Sequence, residues 1–347
     1  MADKVKVGVI GASGYTGADL VRLAARHPNI EIVALTANTH AGKAMAEVFP
    51  HLGTLNLPKL VKNEDANWTG VDAVFCGLPH ATSQEVIRDL PAHLKVVDMS
   101  ADFRFRDPVT YERWYGGAHK APELQKEAVY GLTEHYRDEI AKARLVACPG
   151  CYPTAALTVI LPLVRAGLID AGDLIIDAKS GVSGAGRSLK QNILFCEAGE
   201  GLSPYSIASH RHAPEIEQEV SRVAGQAVIV NFTPHLIPMS RGELVTVYAR
   251  LRRGATADDC SITLGERYRP EPFVFLSPKG ILPATQTVRG SNNVVLGAFA
   301  DRMPGRVILV AALDNLVKGS AGQALQNFNL MFGLPETTGL EQVALFP

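Results

Sequence analysis

The chain has 347 residues, 47% hydrophobic and 20% charged, and its 34 basic side chains face 35 acidic ones for a formal charge of −1. It is too apolar for a disordered protein and long enough for two domains, with no global positive field to draw nucleic acid or an anionic membrane. The longest apolar run, Ala155 to Val164, contains Pro162 and falls short of the roughly 20 residues of a membrane span.

The start, Met-Ala-Asp-Lys-Val-Lys-Val, has no apolar signal core. Five cysteines in so large a chain do not read as a disulfide framework. The expectation is a cytoplasmic protein with reduced thiols that binds neither nucleic acid nor membrane.

In chain order, Val5–Ile10 reads as a buried strand, followed by a glycine-rich turn and a helix from Tyr15 to Arg26 that ends at His27-Pro28. Further strands are expected at Glu31–Thr36, Val71–Cys76, Lys95–Met99 and Leu145–Cys148, with a helix over His80–Leu90 opened by Pro79. Short apolar strands alternating with helices predict a doubly wound, Rossmann-type parallel sheet. Past Pro149-Gly150 the pattern changes. Leu174–Ala178, Ala227–Thr233, Leu244–Leu251, Val294–Phe299 and Val307–Leu313 are β-rich, and Lys318–Phe332 is a last helical stretch. These predict an α/β chain: a nucleotide-binding domain over 1–149, an α+β catalytic and oligomerisation domain with a mostly antiparallel sheet over 150–315, and a C-terminal helix over 316–347 that returns to the first domain.

Gly11-Ala-Ser13-Gly14-Tyr15-Thr16-Gly17 joins the first strand to the first helix. Glycines there permit a tight turn, and the helix-start N–H groups suit a pyrophosphate. The second expected strand ends Leu35-Thr36-Ala37-Asn38-Thr39-His40, without the carboxylate an NAD site uses for the ribose. Hydroxyls, an amide and Lys43 stand there instead and suit the 2′-phosphate of NADP(H), and Thr36 and Asn38 are expected among the cofactor contacts.

Cys148-Pro-Gly-Cys151-Tyr-Pro-Thr places a cysteine where a strand turns into an apolar helix. The helix start favours thiolate and can hold an oxyanion. Three readings stand at this point: a nucleophile at Cys151, a C-x-x-C redox pair, and half of a zinc site. The zinc reading lacks a second ligand pair, because Cys76, Cys196 and Cys260 are isolated, and no metal is expected. Ser209-His210-Arg211-His212-Ala-Pro-Glu215 supplies imidazoles that titrate near neutrality and a guanidinium. Ser180-Gly-Val-Ser183-Gly184-Ala-Gly-Arg187 resembles an anion nest closed by a cation. Asp98-Met-Ser-Ala-Asp-Phe-Arg104 follows a sheet strand, where Arg104 is expected to meet a carboxylate or phosphate.

Together Gly11–Gly17, Gly77–His80, Asp98–Arg104, Cys148–Thr154, Ser180–Arg187, His210–Ile216 and Asp314–Gln323 resemble the N-acetyl-γ-glutamyl-phosphate reductases of the aspartate-semialdehyde dehydrogenase-like group. The resemblance spans essentially the whole chain. It implies reduction of N-acetylglutamyl 5-phosphate by NADPH to the 5-semialdehyde, with release of phosphate, in arginine biosynthesis. It further implies Cys151 as nucleophile forming a thioester, His210 as acid/base, and Pro79, Ser183, Gly184 and Asn315 beside the cofactor. Arg104, Arg187, Arg211 and His212 are the implied contacts of the acyl-phosphate substrate and of phosphate, and the assembly is expected to be a homodimer or homotetramer. The loop Ala37–Lys43 departs from the pattern in carrying no arginine.

Overall fold

Val5–Ile10 forms β1, whose last four residues are buried on both faces, as a central parallel strand requires. In the computed structural model, which describes residues 4–347, six more strands join it. These are β2 (Ile30–Thr36), β3 (Leu60–Val61), β4 (Ala73–Cys76), β5 (Lys95–Asp98), β6 (Val129–Tyr130) and β7 (Leu145–Ala147). Their order is β3-β2-β1-β4-β5-β7-β6, and every pairing is parallel. The order reverses direction between β1 and β4, the switch point where doubly wound sheets bind ligands. The reading of Met1–Asp3 lies outside the described residues.

The chain divides into two units: one from the N-terminus to Pro149 with Ser320–Glu341, the other Gly150–Gly319 with Gln342–Pro347. In the first, the Gly322–Met331 helix is buried along almost all of its length, and Phe328 packs on Phe75 of β4 at 5.4 Å between ring centroids. A turn of π-helix, Val317–Ala321, precedes that helix, so the expected Lys318–Phe332 helix is not uniform.

The second unit holds β8 (Ile169–Gly181), β9 (Ser203–Pro204), β10 (Asn231–Ile237), β11 (Glu243–Leu251), β12 (Val274–Leu276), β13 (Val294–Ala300) and β14 (Arg306–Leu313), in the order β12-β13-β14-β11-β8-β10-β9. Among the described residues the pairings are antiparallel except β8 with β10 and β12 with β13. The sheet is therefore mixed but mostly antiparallel. Its buried face carries the Cys151–Arg165 helix, which is buried from Tyr152 to Leu163. Pro162 inside that helix has no N–H to offer the Thr158 carbonyl. The Tyr268 hydroxyl donates to that carbonyl instead, at 2.7 Å, and the helix runs through.

Two expected elements move. The helix expected from His80 begins at Ser83. Ala81 takes a left-handed φ of 65°, and the Asp102 carboxylate accepts from Ala81 N (2.7 Å) and Ser83 N (3.1 Å). The strand expected over Ala227–Thr233 runs Asn231–Ile237, because the preceding helix takes the earlier N–H groups: Val228 N donates to Ser221 Oγ at 2.9 Å and Val230 N to Glu217 Oε1 at 3.1 Å. Among the described residues no helix is long and apolar enough to cross a membrane.

Candidate active site

Gly150 is the N-cap of the Cys151–Arg165 helix, so the Cys151 thiol stands on the first helical residue, half-buried. Three contacts fix this turn. Gly150 N donates to the buried Glu215 carboxylate at 2.9 Å, while Gly150 O accepts from Thr154 N (3.0 Å) and Thr154 Oγ1 (2.9 Å). A side chain at 150 would strike the His212 ring, and a Cβ on Gly319 would lie 2.7 Å from Cys151 Cβ. The backbone is thus stripped of side chains on both sides of the thiol. The partial positive charge on the first-turn N–H groups of Cys151 and Tyr152 favours a thiolate or an oxyanion beside them.

His210 lies in the loop before the His212–Ala224 helix, its ring edge-on to Tyr152 (5.8 Å), Tyr205 (5.3 Å), His212 (4.7 Å) and Phe232 (5.3 Å). Burial, and secondly the Arg211 charge, push its imidazole down to about 4. His212 N donates to His210 Nδ1 at 3.1 Å, so the neutral ring carries its hydrogen on Nε2. His210 therefore presents a neutral Nε2–H donor. The Tyr205 hydroxyl donates to Tyr152 Oη at 3.3 Å, and Tyr152 Oη–H to the His235 carbonyl at 3.2 Å. Burial raises both phenols, and they stay protonated.

The glycine turn fits a dinucleotide's phosphates. Gly11 has φ +78°, and a Cβ on it would lie 2.6 Å from the Gly77 carbonyl, where the ends of β1 and β4 meet. A Cβ on Gly17 would lie 2.8 Å from Ala12 Cα. Gly14 caps the Tyr15–Ala24 helix without a side-chain bond, leaving the helix start at Tyr15, Thr16 and Gly17 open to an anion. Ser13 is half-buried in this turn.

Several expected contacts fall elsewhere. Thr36 is fully buried, and its hydroxyl donates to Asn63 Oδ1 at 2.5 Å; it does not reach the surface where a 2′-phosphate would sit. Asn38 is exposed, with Oδ1 accepting from Asn63 N at 3.0 Å. Thr39 and Lys43 of that loop are exposed as well. Pro79 is exposed after β4, its carbonyl accepting from Thr82 Oγ1 at 2.5 Å. Arg104, expected at the substrate, is buried and braces the backbone: it donates from Nε to the Cys148 carbonyl (2.8 Å) and from Nη2 to the Met99 carbonyl (3.3 Å). The Ser180–Arg187 loop, expected as an anion nest, is tied down at its start. Gly181, Val182 and Ser183 spend their N–H groups on the carbonyls of Gly242, Met239 and Ser240. Asn315 ties the same loops together, donating to Ser183 Oγ and accepting from Gly242 N, each at 2.9 Å. Gly184 and Arg187 are exposed, and Arg211 and His212 are half-buried.

Cys148 is buried, its thiol accepts from Asn327 Nδ2 at 3.7 Å, and burial pushes it up to about 12. A thiol so held is a poor partner in dithiol chemistry.

Two residues with bearing on the site escape a reading of motifs. Glu215 appears in sequence only as the end of the histidine cluster, yet it anchors Gly150. Glu243 heads β11 with no motif around it. Its one signal is parity, since it falls in phase with the buried Val245, Val247 and Ala249.

Comparisons with known proteins agree along the whole length. Residues 6–143 match the model for the semialdehyde dehydrogenase NAD binding domain, and residues 151–315 the model for the semialdehyde dehydrogenase dimerisation domain. The chain is 55% identical over 352 residues to the N-acetyl-gamma-glutamyl-phosphate reductase of Rhodospirillum rubrum, covering 100% of each. It is 56% identical to the enzyme of that name from Ruegeria pomeroyi, covering 99% of each. A probable chloroplastic N-acetyl-gamma-glutamyl-phosphate reductase of Arabidopsis thaliana is 54% identical over 99% of this chain and 86% of its own. Among solved structures, aspartate semialdehyde dehydrogenase II from Vibrio cholerae superposes with a TM-score of 0.71 at 15% identity over 96% of this chain and 99% of that one. Aspartate semialdehyde dehydrogenase with NADP from Candida albicans gives 0.66 at 18% over 95% and 99%. These two likenesses bear on the fold alone.

Proposed function

The chain belongs to the N-acetyl-γ-glutamyl-phosphate reductase family of semialdehyde dehydrogenases, phosphorylating oxidoreductases that use a nicotinamide cofactor, and we propose that it reduces N-acetylglutamyl 5-phosphate to N-acetylglutamate 5-semialdehyde with NADPH, releasing phosphate, in arginine biosynthesis. The observation that carries this reading is Cys151 on the first residue of a buried helix, cleared on both sides by Gly150 and Gly319.

In the proposed sequence the Cys151 sulfur attacks the acyl carbon, the bond to phosphate breaks, and a thioester forms on the chain. The first-turn N–H groups of Cys151 and Tyr152 hold the oxyanion of the tetrahedral adduct. Neutral His210 donates from Nε2 toward the same oxygen, as an uncharged imidazole does where burial keeps it from protonating. The cofactor, when bound, supplies a hydride to the thioester carbon. The adduct then collapses to aldehyde, and the sulfur leaves.

In the glycine turn, Gly11, Ser13, Gly14, Tyr15, Thr16 and Gly17 would hold the pyrophosphate. Thr39 and Lys43, in a strand-end loop without a carboxylate, favour a 2′-phosphate. Arg187, Arg211 and His212 are the proposed contacts of the substrate's carboxylate and phosphate. The first unit is the proposed NADP-binding body and the second the catalytic one. The dimerisation-domain match over residues 151–315 supports self-association, as a homodimer or homotetramer.

The test is NADP reduction with N-acetylglutamate 5-semialdehyde and inorganic phosphate. Turnover should depend on phosphate, vanish in Cys151→Ala and persist in Cys148→Ser. Phosphate-independent turnover, or an active Cys151→Ala, refutes the reading.

A further inference from the structure

Beside Cys151 lies one carboxyl that the sequence of steps above leaves idle. Glu243 is 0% exposed at the head of β11, in phase with the apolar Val245, Val247 and Ala249. Its cross-strand neighbours are Ser180 of β8 and Leu313 of β14, neither of which titrates, and the Ser180 hydroxyl donates to the Gly181 carbonyl at 3.1 Å. The titratable groups that sense its charge are Cys151 and Tyr152 on the helix packed against β11, and Tyr205. Neither carboxyl oxygen has a completed hydrogen bond. The Cys151 thiol approaches and favours the ionised carboxyl. A fully buried carboxyl with no lasting partner destabilises the fold, and such groups collect where chemistry needs them.

The other candidate base is engaged. His210 Nδ1 already accepts from His212 N, which leaves a donor at Nε2. We infer that Glu243 is a catalytic residue that accepts the Cys151 thiol proton as the sulfur attacks and returns it as the sulfur leaves. This rests on the thioester reading above. In the first half, Cys151 S–H breaks, the proton passes to a carboxylate oxygen of Glu243, a C–S bond forms and the C–O bond to phosphate breaks. In the second half, two electrons enter the acyl carbon as hydride, the C–S bond breaks, and Glu243 O–H returns its proton to the thiolate. The departing phosphate takes its own proton from water. Burial pushes the Glu243 carboxyl up to about 8, which makes it a far stronger proton acceptor than an ordinary carboxylate near ~4 and suits it to general-base work near neutrality.

Glu243→Gln keeps the shape and removes the acceptor. In the wild type, kcat/KM should rise with pH through about 8, as the carboxylate form appears. In Glu243→Gln, kcat should fall roughly 10²–10³-fold and that limb should disappear. Glu243→Asp, which keeps a carboxyl, should retain the limb at reduced rate, and it carries the test if the glutamine variant does not fold.

A second readout needs no substrate. In a Cys196→Ser background, which removes the exposed thiol, the pH dependence of Cys151 alkylation by iodoacetamide is followed, the other cysteines being buried. Removing a like charge should lower the midpoint by about one pH unit in Glu243→Gln. Turnover of Glu243→Gln within roughly threefold of wild type, a slow variant that keeps the limb, or an unmoved alkylation midpoint each overturns the inference. A wild type that ignores N-acetylglutamyl phosphate, with the midpoint still lowered in the variant, refutes the substrate and supports the proton relay.

Discussion

Gly319→Ala isolates the placement of the nucleophile from its chemistry. The added methyl would sit 2.7 Å from Cys151 Cβ, 3.3 Å from Cys151 Cα and 3.3 Å from Leu313 Cδ1. Carbon atoms rest at ~3.5–4.0 Å, so the shortfall at Cys151 is roughly 1 Å. It falls on the root of the side chain, where no rotamer change relieves it, and the helix start must move. Overpacking of this kind costs about 1–3 kcal/mol, offset by the ~1 kcal/mol that alanine gains over glycine in a helix. The folded protein should therefore survive with a lowered melting temperature. Catalysis is less forgiving, since displacing a reacting atom by about 1 Å costs on the order of 10²-fold. NADPH oxidation with N-acetylglutamyl 5-phosphate should show kcat reduced about a hundredfold, while Cys151 still alkylates. A Gly319→Ala protein with kcat within about threefold of wild type would refute the argument that this glycine clears space for the thiol.

Three further outcomes follow from other sites. Lys43→Ala should raise KM for NADPH about tenfold, the loss of one cation–phosphate contact of roughly 1.4 kcal/mol, and leave KM for NADH unchanged; equal effects on both cofactors would remove Lys43 from the 2′-phosphate. Arg104→Met should destabilise the fold by ~2–4 kcal/mol by leaving the Cys148 and Met99 carbonyls without their donor, with KM for the acyl phosphate unaltered in the folded fraction, as measured by urea unfolding and initial rates. Burial raises Asp98 to about 6, against the pull of its bonds to Ser100. Between the ordinary carboxylate range near 4 and that value, the native state holds a proton that the unfolded chain releases. Its contribution to stability therefore falls as pH rises through the window. Asp98→Asn should flatten the dependence, and melting curves across that range that superpose in slope with wild type would contradict it.

What was legible in the sequence is what local chemistry encodes. Gly11–Gly17 between an apolar strand and a helix, and Cys151 after Pro-Gly ahead of an apolar helix, carry their geometry within a few residues. The bonds of Thr36 and Arg104 were not legible because their partners are remote: Asn63 lies 27 positions away from one, and Cys148 44 positions from the other. A hydroxyl or guanidinium reads as available until the fold delivers something to bind it. In the Ser180–Arg187 loop the N–H groups of Gly181, Val182 and Ser183 are likewise claimed by the remote 239–242 turn. Glu243 was missed for the opposite reason. No motif surrounds it, and only its parity with Val245 and Val247 marks a carboxyl aimed into an apolar interior.

The Asp102 carboxylate holds Ala81 N, Ser83 N, the Ser83 hydroxyl and the Tyr111 hydroxyl together. The loop at the end of β4 thus takes its course from an outside scaffold. Its exposed side chain at Pro79 is relieved of architectural duty and can be exchanged to retune what lies above it. The instruction that shapes the loop is written about twenty residues downstream, and redesign there should vary the rim and leave position 102 untouched.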